Sequence, residues 1–173
     1  MRTGGILALA GYTGTIIGAN WAIQTWGIVP VGFGLAAPAG VYLAGLAFTL
    51  RDLVQESCGR RWALIAIGLG AGLSWLISPQ FAVASGLAFA ASELADFVVY
   101  TPLRKRHWLG AVALSNTVGL AIDSALFLWL AFGSLDFLAG QIVGKLWVTL
   151  LAVALLWMWR RVHVSRAAHA VAG

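Results

Sequence analysis

The chain alternates between long apolar runs and short segments that contain Gly, Pro or charged residues. Each run is close to the length of about 20 residues that a helix needs to cross a bilayer. We therefore predict one transmembrane domain over 1–173, an all-α, polytopic bundle of six membrane-spanning helices. The predicted spans are roughly 4–26, 38–55, 61–77, 81–100, 108–132 and 138–159. The breaks between them fall at Val29-Pro30-Val31-Gly32, Cys58-Gly59, Ser78-Pro79, Thr101-Pro102 and Gly133-Ser134.

Composition supports a membrane protein, because 61% of the residues are hydrophobic, 10% are charged and the mean hydropathy is +0.89. A soluble protein would need a much larger polar surface. The net charge of +5 does not indicate nucleic acid, since the basic residues lie at the ends of the spans. We expect a lipid bilayer as the partner and no nucleic acid.

The basic residues also predict an orientation. Nine of the 11 Lys and Arg residues fall in loops or ends on one side of a six-span chain, whereas the opposite loops carry only the charge of Asp136. The positive-inside rule then places both termini in the cytoplasm. These nine residues are Arg2, Arg60, Arg61, Arg104, Lys105, Arg106, Arg160, Arg161 and Arg166.

Catalytic and metal-binding patterns find little support. Cys58 is the single cysteine, and the three histidines, His107, His163 and His169, lie in predicted loops or the tail without a carboxylate cluster. No serine has a histidine at a comparable depth. We predict no enzyme activity, no metal and no cofactor.

Charged residues inside the spans are the candidates for function. With a helical rise of about 1.5 Å per residue, Asp123 lies about 14 Å and Lys145 about 11 Å from the outer ends of neighbouring spans. They can meet if those spans turn the right faces together. Glu93 and Asp96 share a face of span four and lie deeper, level with Asn116.

The charges within the spans do not balance, since Arg51 and Lys145 stand against four carboxylates, Asp52, Glu93, Asp96 and Asp123. Such an excess in a low dielectric favours protonation or pairing with a ligand. These residues therefore indicate a polar cavity. The alternative interpretation is that they only hold helices together by hydrogen bonds.

Four stretches resemble the queuosine precursor transporter family, also called vitamin uptake transporter-like. The stretch from Leu50 to Arg61 is similar to its second-span signature, and Ala91 to Asp96, leading to Tyr100 and Arg104, to its fourth. Ser115-Asn116-Thr117-Val118 with Asp123-Ser124 and Phe127 resembles the fifth, and Gly140-Gln141 with Gly144-Lys145 the last.

The resemblance implies an inner-membrane importer of 7-cyano- or 7-aminomethyl-7-deazaguanine, the precursors of queuosine in tRNA, with a fold similar to energy-coupling-factor substrate-binding subunits. A carboxylate can accept the ring N–H and the exocyclic NH2 of such a base side by side, and an amide or ammonium can donate to its carbonyl. Trp21 could stack on the ring. The candidate substrate-binding residues are Glu93, Asp96, Asn116, Asp123, Gln141, Lys145, Asp52, Asn20 and Trp21.

Two other functions stay open at this point. The first is a substrate-binding subunit that works with a coupling ATPase module, for which Gly14-x-x-x-Gly18 would supply a close helix contact. The second is a membrane protein that does not transport. The pattern leaves the oligomeric state open, a homo-oligomer included, together with the driving ion.

Overall fold

The computed structural model describes residues 3–103, 105–106 and 108–172, with side chains described except at 3, 60, 108–109, 112–113, 153, 156–157 and 159–172. The predictions for Arg2, Arg104 and His107 lie outside the described residues. So do those for the side chains of Arg60, Arg160, Arg161, His163, Arg166 and His169.

The described chain is mostly helical, with six helices and one two-stranded hairpin. The elements in chain order are α1 (Thr3–Trp26), β1 (Ile28–Gly32), β2 (Leu35–Pro38), α2 (Val41–Cys58), α3 (Arg60–Trp75), α4 (Pro79–Leu103), α5 (Trp108–Phe132) and α6 (Leu138–Ala172).

The predicted bounds agree closely for α1, α3 and α5 and differ elsewhere. Helix α2 begins at Val41, three residues after the predicted start of the second span, and residues 28–38 form the hairpin. The all-α prediction missed this hairpin, since Pro30 and Gly32 indicated a plain loop. Helix α4 runs past the predicted break to include Pro102, and α6 continues well beyond residue 159.

The hairpin closes in a two-residue turn, Phe33-Gly34, whose φ angles are 55° and 73°. Positive φ at both turn residues matches the twist of antiparallel strands, but it is costly for a bulky residue such as Phe33. The Phe33 ring stacks on Trp147 of α6 with centroids 6.0 Å apart, and Trp147 Nε1 donates a 3.2 Å hydrogen bond to the Val31 carbonyl. These contacts fix the hairpin against α6.

Three described helical segments are long and apolar enough to cross a membrane: Gly4–Trp26, Pro79–Leu103 and Leu114–Phe132. Helix α6 adds a shorter apolar segment, Leu138–Ala152. Helix α2 has 18 residues, three of them charged, and α3 has 16 residues.

Small residues fill the interior, and large apolar residues face outward. Most of the fully buried apolar side chains are alanines, whereas residues such as Leu7, Leu76 and Leu94 are more than half exposed. A soluble protein would bury such leucines. Small residues at helix contacts and large ones outside are expected when lipid covers the surface.

The helices pack unevenly, so the bundle has two parts: the pair α4 and α5, and a group formed by α1, α2, α3 and α6. Helices α4 and α5 pack against each other most extensively, while α1 packs on α2 and α3, and α2 packs on α6. An apolar cluster that includes Ile23 of α1, Ala88 of α4 and Phe127 of α5 joins the two parts.

Two glycines permit close approach of α6 to its neighbours. A Cβ at Gly45 of α2 would lie 3.1 Å from both the Cα and the carbonyl oxygen of Lys145. A Cβ at Gly140 would overlap the Ala36 carbonyl of β2. Helix α6 is therefore set against α2 and the hairpin at distances that only glycine allows.

Replacing Gly140 with alanine should destabilise the protein by about 1–3 kcal/mol, because the added methyl group must push β2 away from α6. Gly72 of α3 is the matched control, since a Cβ there meets nothing within 4 Å. Gly72→Ala should be neutral or stabilising by up to about 1 kcal/mol, as expected for a helical glycine. Thermal unfolding of the purified protein in detergent measures both. Equal melting temperatures for the two variants would contradict the close contact.

Candidate functional site

A cavity lies between the helices in the half of the bundle nearer the hairpin. Its empty volume is about 790 Å³, open space at its edge included, and all six helices contribute to its lining. Phe48 of α2, Phe89 of α4 and Phe127 of α5 supply aromatic walls. Like small-molecule sites, this cavity has a mostly apolar lining with a few placed polar groups.

Lys145 and Asp123 form the charged part of this cavity. Lys145 is 1% exposed, and its Nζ donates to Asp123 Oδ2 at 2.6 Å and to Ser124 Oγ at 2.8 Å. The ring of Phe48 faces the same ammonium group, with 5.7 Å from Nζ to the centroid. The predicted contact between Asp123 and Lys145 is confirmed, and the cation is compensated on every side.

Three of the other polar side chains in the lining each have one buried atom without a hydrogen-bond partner among the described residues. These atoms are Tyr12 Oη, Asn20 Nδ2 and Gln141 Oε1. The other end of the Asn20 amide is occupied, because Ser85 Oγ donates to Asn20 Oδ1 at 3.1 Å. An unpaired buried polar atom costs about 1–3 kcal/mol, so these groups are suited to a ligand. Together they offer one donor, one acceptor and a hydroxyl that can be either.

Sequence reasoning missed Tyr12, although a signal for it was present. Tyr12, Thr15, Ile16, Ala19, Asn20 and Ile23 all line the cavity. Their spacing of three, four and seven residues places them on one face of α1. The polar residues Tyr12, Thr15 and Asn20 share this face, so their spacing is the signal that could have added Tyr12 to the candidates. Phe48 carries no comparable signal in the sequence.

Asp52 and Glu93, both predicted to bind substrate, lie outside the cavity and contact Arg51. The Arg51 guanidinium pairs with Glu93 of α4 and, at 2.8 Å, with Asp52 on its own helix. The Asp52 side chain is 64% exposed, whereas those of Arg51 and Glu93 are largely buried. Three of the four carboxylates counted in the spans thus pair with the two cationic groups.

The remaining predicted residues are not brought to the cavity either. Asp96 lies where α4 crosses α5, near Gly119. Asn116 is exposed, although it is seven residues from the buried Asp123. Trp21 is 48% exposed and packs edge-on against Trp26, with centroids 5.1 Å apart. Of the nine candidates, the cavity brings together Asn20, Asp123, Gln141 and Lys145.

The buried ion pair should show strong energetic coupling. Lys145→Gln leaves the Asp123 carboxylate without its partner, and we expect a loss of about 3–5 kcal/mol. Asp123→Asn should also destabilise, but the double variant should lose less than the sum of the two. Asp52→Asn is the matched control, because an exposed pair is worth about 0–1 kcal/mol. Thermal unfolding of the four proteins tests this, and additive losses at 123 and 145 would contradict the pairing.

Comparison with known proteins gives one family. The family model described as "Putative vitamin uptake transporter" matches residues 74–162, just over half of the chain. The match covers α4, α5 and the first part of α6, including Asp123, Gln141 and Lys145. No curated protein and no solved structure matches the chain. Its apolar helices and this match show that the chain is a membrane protein and belongs to this family of vitamin uptake transporters.

Proposed function

We propose that the chain imports queuosine precursors, 7-cyano- or 7-aminomethyl-7-deazaguanine, across the inner membrane. Membership of a transporter family and the resemblance of four stretches to queuosine precursor transporters support the substrate class. The observation that carries the proposal is the cavity, in which unpaired buried polar atoms lie among aromatic walls. A flat, polar bicyclic base complements both features.

The cavity groups can be assigned roles in binding such a base. Gln141 Oε1 accepts from the ring N–H or the exocyclic NH2, and Asn20 Nδ2 donates to the carbonyl. Phe48 or Phe89 stacks on the ring face. Asp123 is the carboxylate nearest to the ligand, with Lys145 holding it in place. Tyr12 closes the cavity on the side of α1.

We propose that α1–α6 all cross the membrane with both termini in the cytoplasm. The excess of Lys and Arg on one side supports this orientation. In this arrangement the hairpin end of the bundle faces outward, and the cavity lies in the outer half.

Orientation is checked by cysteine labelling in a Cys58→Ser background. A membrane-impermeant thiol reagent should label Asp136→Cys in intact cells, because the α5–α6 connection faces outward. It should label Glu56→Cys only after the membrane is opened, because the end of α2 faces the cytoplasm. Both positions are exposed, so accessibility within the protein does not limit the reaction. The reverse pattern would overturn the proposed orientation.

Uptake by this chain alone tests the function. Expression in cells that lack deazaguanine biosynthesis, an importer and coupling ATPases should restore uptake of labelled base. Failure there, with uptake restored only by adding a coupling module, would favour the substrate-binding-subunit alternative. Binding without uptake in either host would leave a membrane protein that does not transport.

Gln141→Met should separate recognition from stability. It removes the unpaired acceptor, so affinity for the base should fall about ten- to a hundredfold, while the melting temperature stays equal or rises. Gln80 of α4 is the matched control, since its Nε2 donates to the Ala131 carbonyl at 2.6 Å and the residue lies outside the cavity lining. Gln80→Met should lower the melting temperature and leave affinity unchanged. Unchanged affinity in Gln141→Met would exclude Gln141 from recognition.

A further inference from the structure

Arg51 of α2 and Glu93 of α4 lie directly beyond the inner end of the cavity. The last cavity-lining residues on these two helices, moving away from the hairpin, are Phe48 and Phe89. Arg51 follows Phe48 by three residues and Glu93 follows Phe89 by four, so each charged residue lies one helical turn farther on. The ion pair thus lies one helical turn beyond these two phenylalanines, on the side away from the hairpin.

This ion pair joins helices that otherwise have little contact. Helices α2 and α4 are absent from the set of extensively packed pairs, and each packs on other partners instead. The Arg51–Glu93 ion pair connects α2 and α4 along a seam where they share no large apolar interface.

Phe48 connects the ion pair to the ligand cavity. The centroid of its ring lies 5.7 Å from Lys145 Nζ and 5.6 Å from Arg51 Cζ. A ligand that stacks on Phe48 therefore contacts a side chain that lies near both cations. Displacement of this ring changes the surroundings of Arg51 directly.

We propose that the Arg51–Glu93 ion pair is a gate, closed in this structure, that separates the cavity from the side of the membrane opposite the hairpin. Release of the ligand requires the pair to break and α2 to separate from α4 along their seam. Asp52 then retains the Arg51 guanidinium on α2, because it is bonded to the same group within one helix. The freed cation keeps a partner in the open state, which lowers the cost of opening.

The gate can be tested without any ligand, by labelling a cysteine in the cavity. Ala44→Cys, in the Cys58→Ser background, places a thiol on the cavity lining of α2. Impermeant reagent is added to sealed vesicles on the side where Glu56→Cys reacts, so the side is defined by experiment. The proposal rests on the transport function, but the labelling rate reports the gate even if the deazaguanine assignment fails.

With the native pair, Ala44→Cys should be protected from that side. Glu93→Gln and Arg51→Gln should each raise the labelling rate about tenfold, as expected for a loss of about 1.4 kcal/mol in the closed state. The exchange Arg51→Glu with Glu93→Arg should restore protection. Asp52→Asn is the contrasting variant: it leaves the bridge to α4 intact and removes the bond that stabilises the open state, so protection should be kept or increased.

Two outcomes would overturn the gate. One is rapid labelling of Ala44→Cys when the native pair is present, and the other is unchanged protection in both single variants. Gel filtration confirms that each variant is folded, and Arg51→Gln alone carries the comparison if Glu93→Gln fails to assemble.

Discussion

The fold depends on placing one ammonium group, that of Lys145, inside an apolar bundle. An isolated charge there costs at least about 2.5–3.5 kcal/mol, so every neighbouring group is arranged to compensate it. Asp123 and Ser124 accept its hydrogen bonds, the ring of Phe48 faces it, and Gly45 lets the backbone of α6 come close to α2. These constraints together set the relative positions of α2, α5 and α6. The three helices form part of the lining of the cavity.

Compensation of the charges determines what remains for a ligand. Lys145 and Asp123 satisfy each other, and Arg51 is satisfied by Asp52 and Glu93. The polar atoms that still need partners inside the cavity are uncharged, namely those of Tyr12, Asn20 and Gln141. In the proposed function, recognition therefore rests on hydrogen bonds of defined direction and on aromatic faces. Such a site discriminates by shape and donor pattern more than by attraction of charge.

The sequence predicts depth well and rotation poorly. Helix α5 was placed correctly because its apolar run is long and bounded by clear breaks, and depth showed that Asp123 and Lys145 can meet if their helices face each other. Asn116 shares a face with Asp123, but it lies two turns farther from the hairpin than Asp123, where that face is exposed. Glu93 could not be assigned to Arg51 either, since residue spacing does not reveal which helix lies opposite. Those facts depend on tertiary packing, which periodicity does not encode.

Pairing between α5 and α6 also bears on how the chain enters the membrane during synthesis. Asp123 leaves the ribosome 22 residues before Lys145, and until then its charge adds about 2.5–3.5 kcal/mol to the cost of placing α5 in lipid. The pair becomes neutral only when α6 follows. Although α5 is apolar enough to span the membrane, its insertion should therefore become more favourable once α6 is made. The order of residues along the chain thus couples integration of α5 to synthesis of α6.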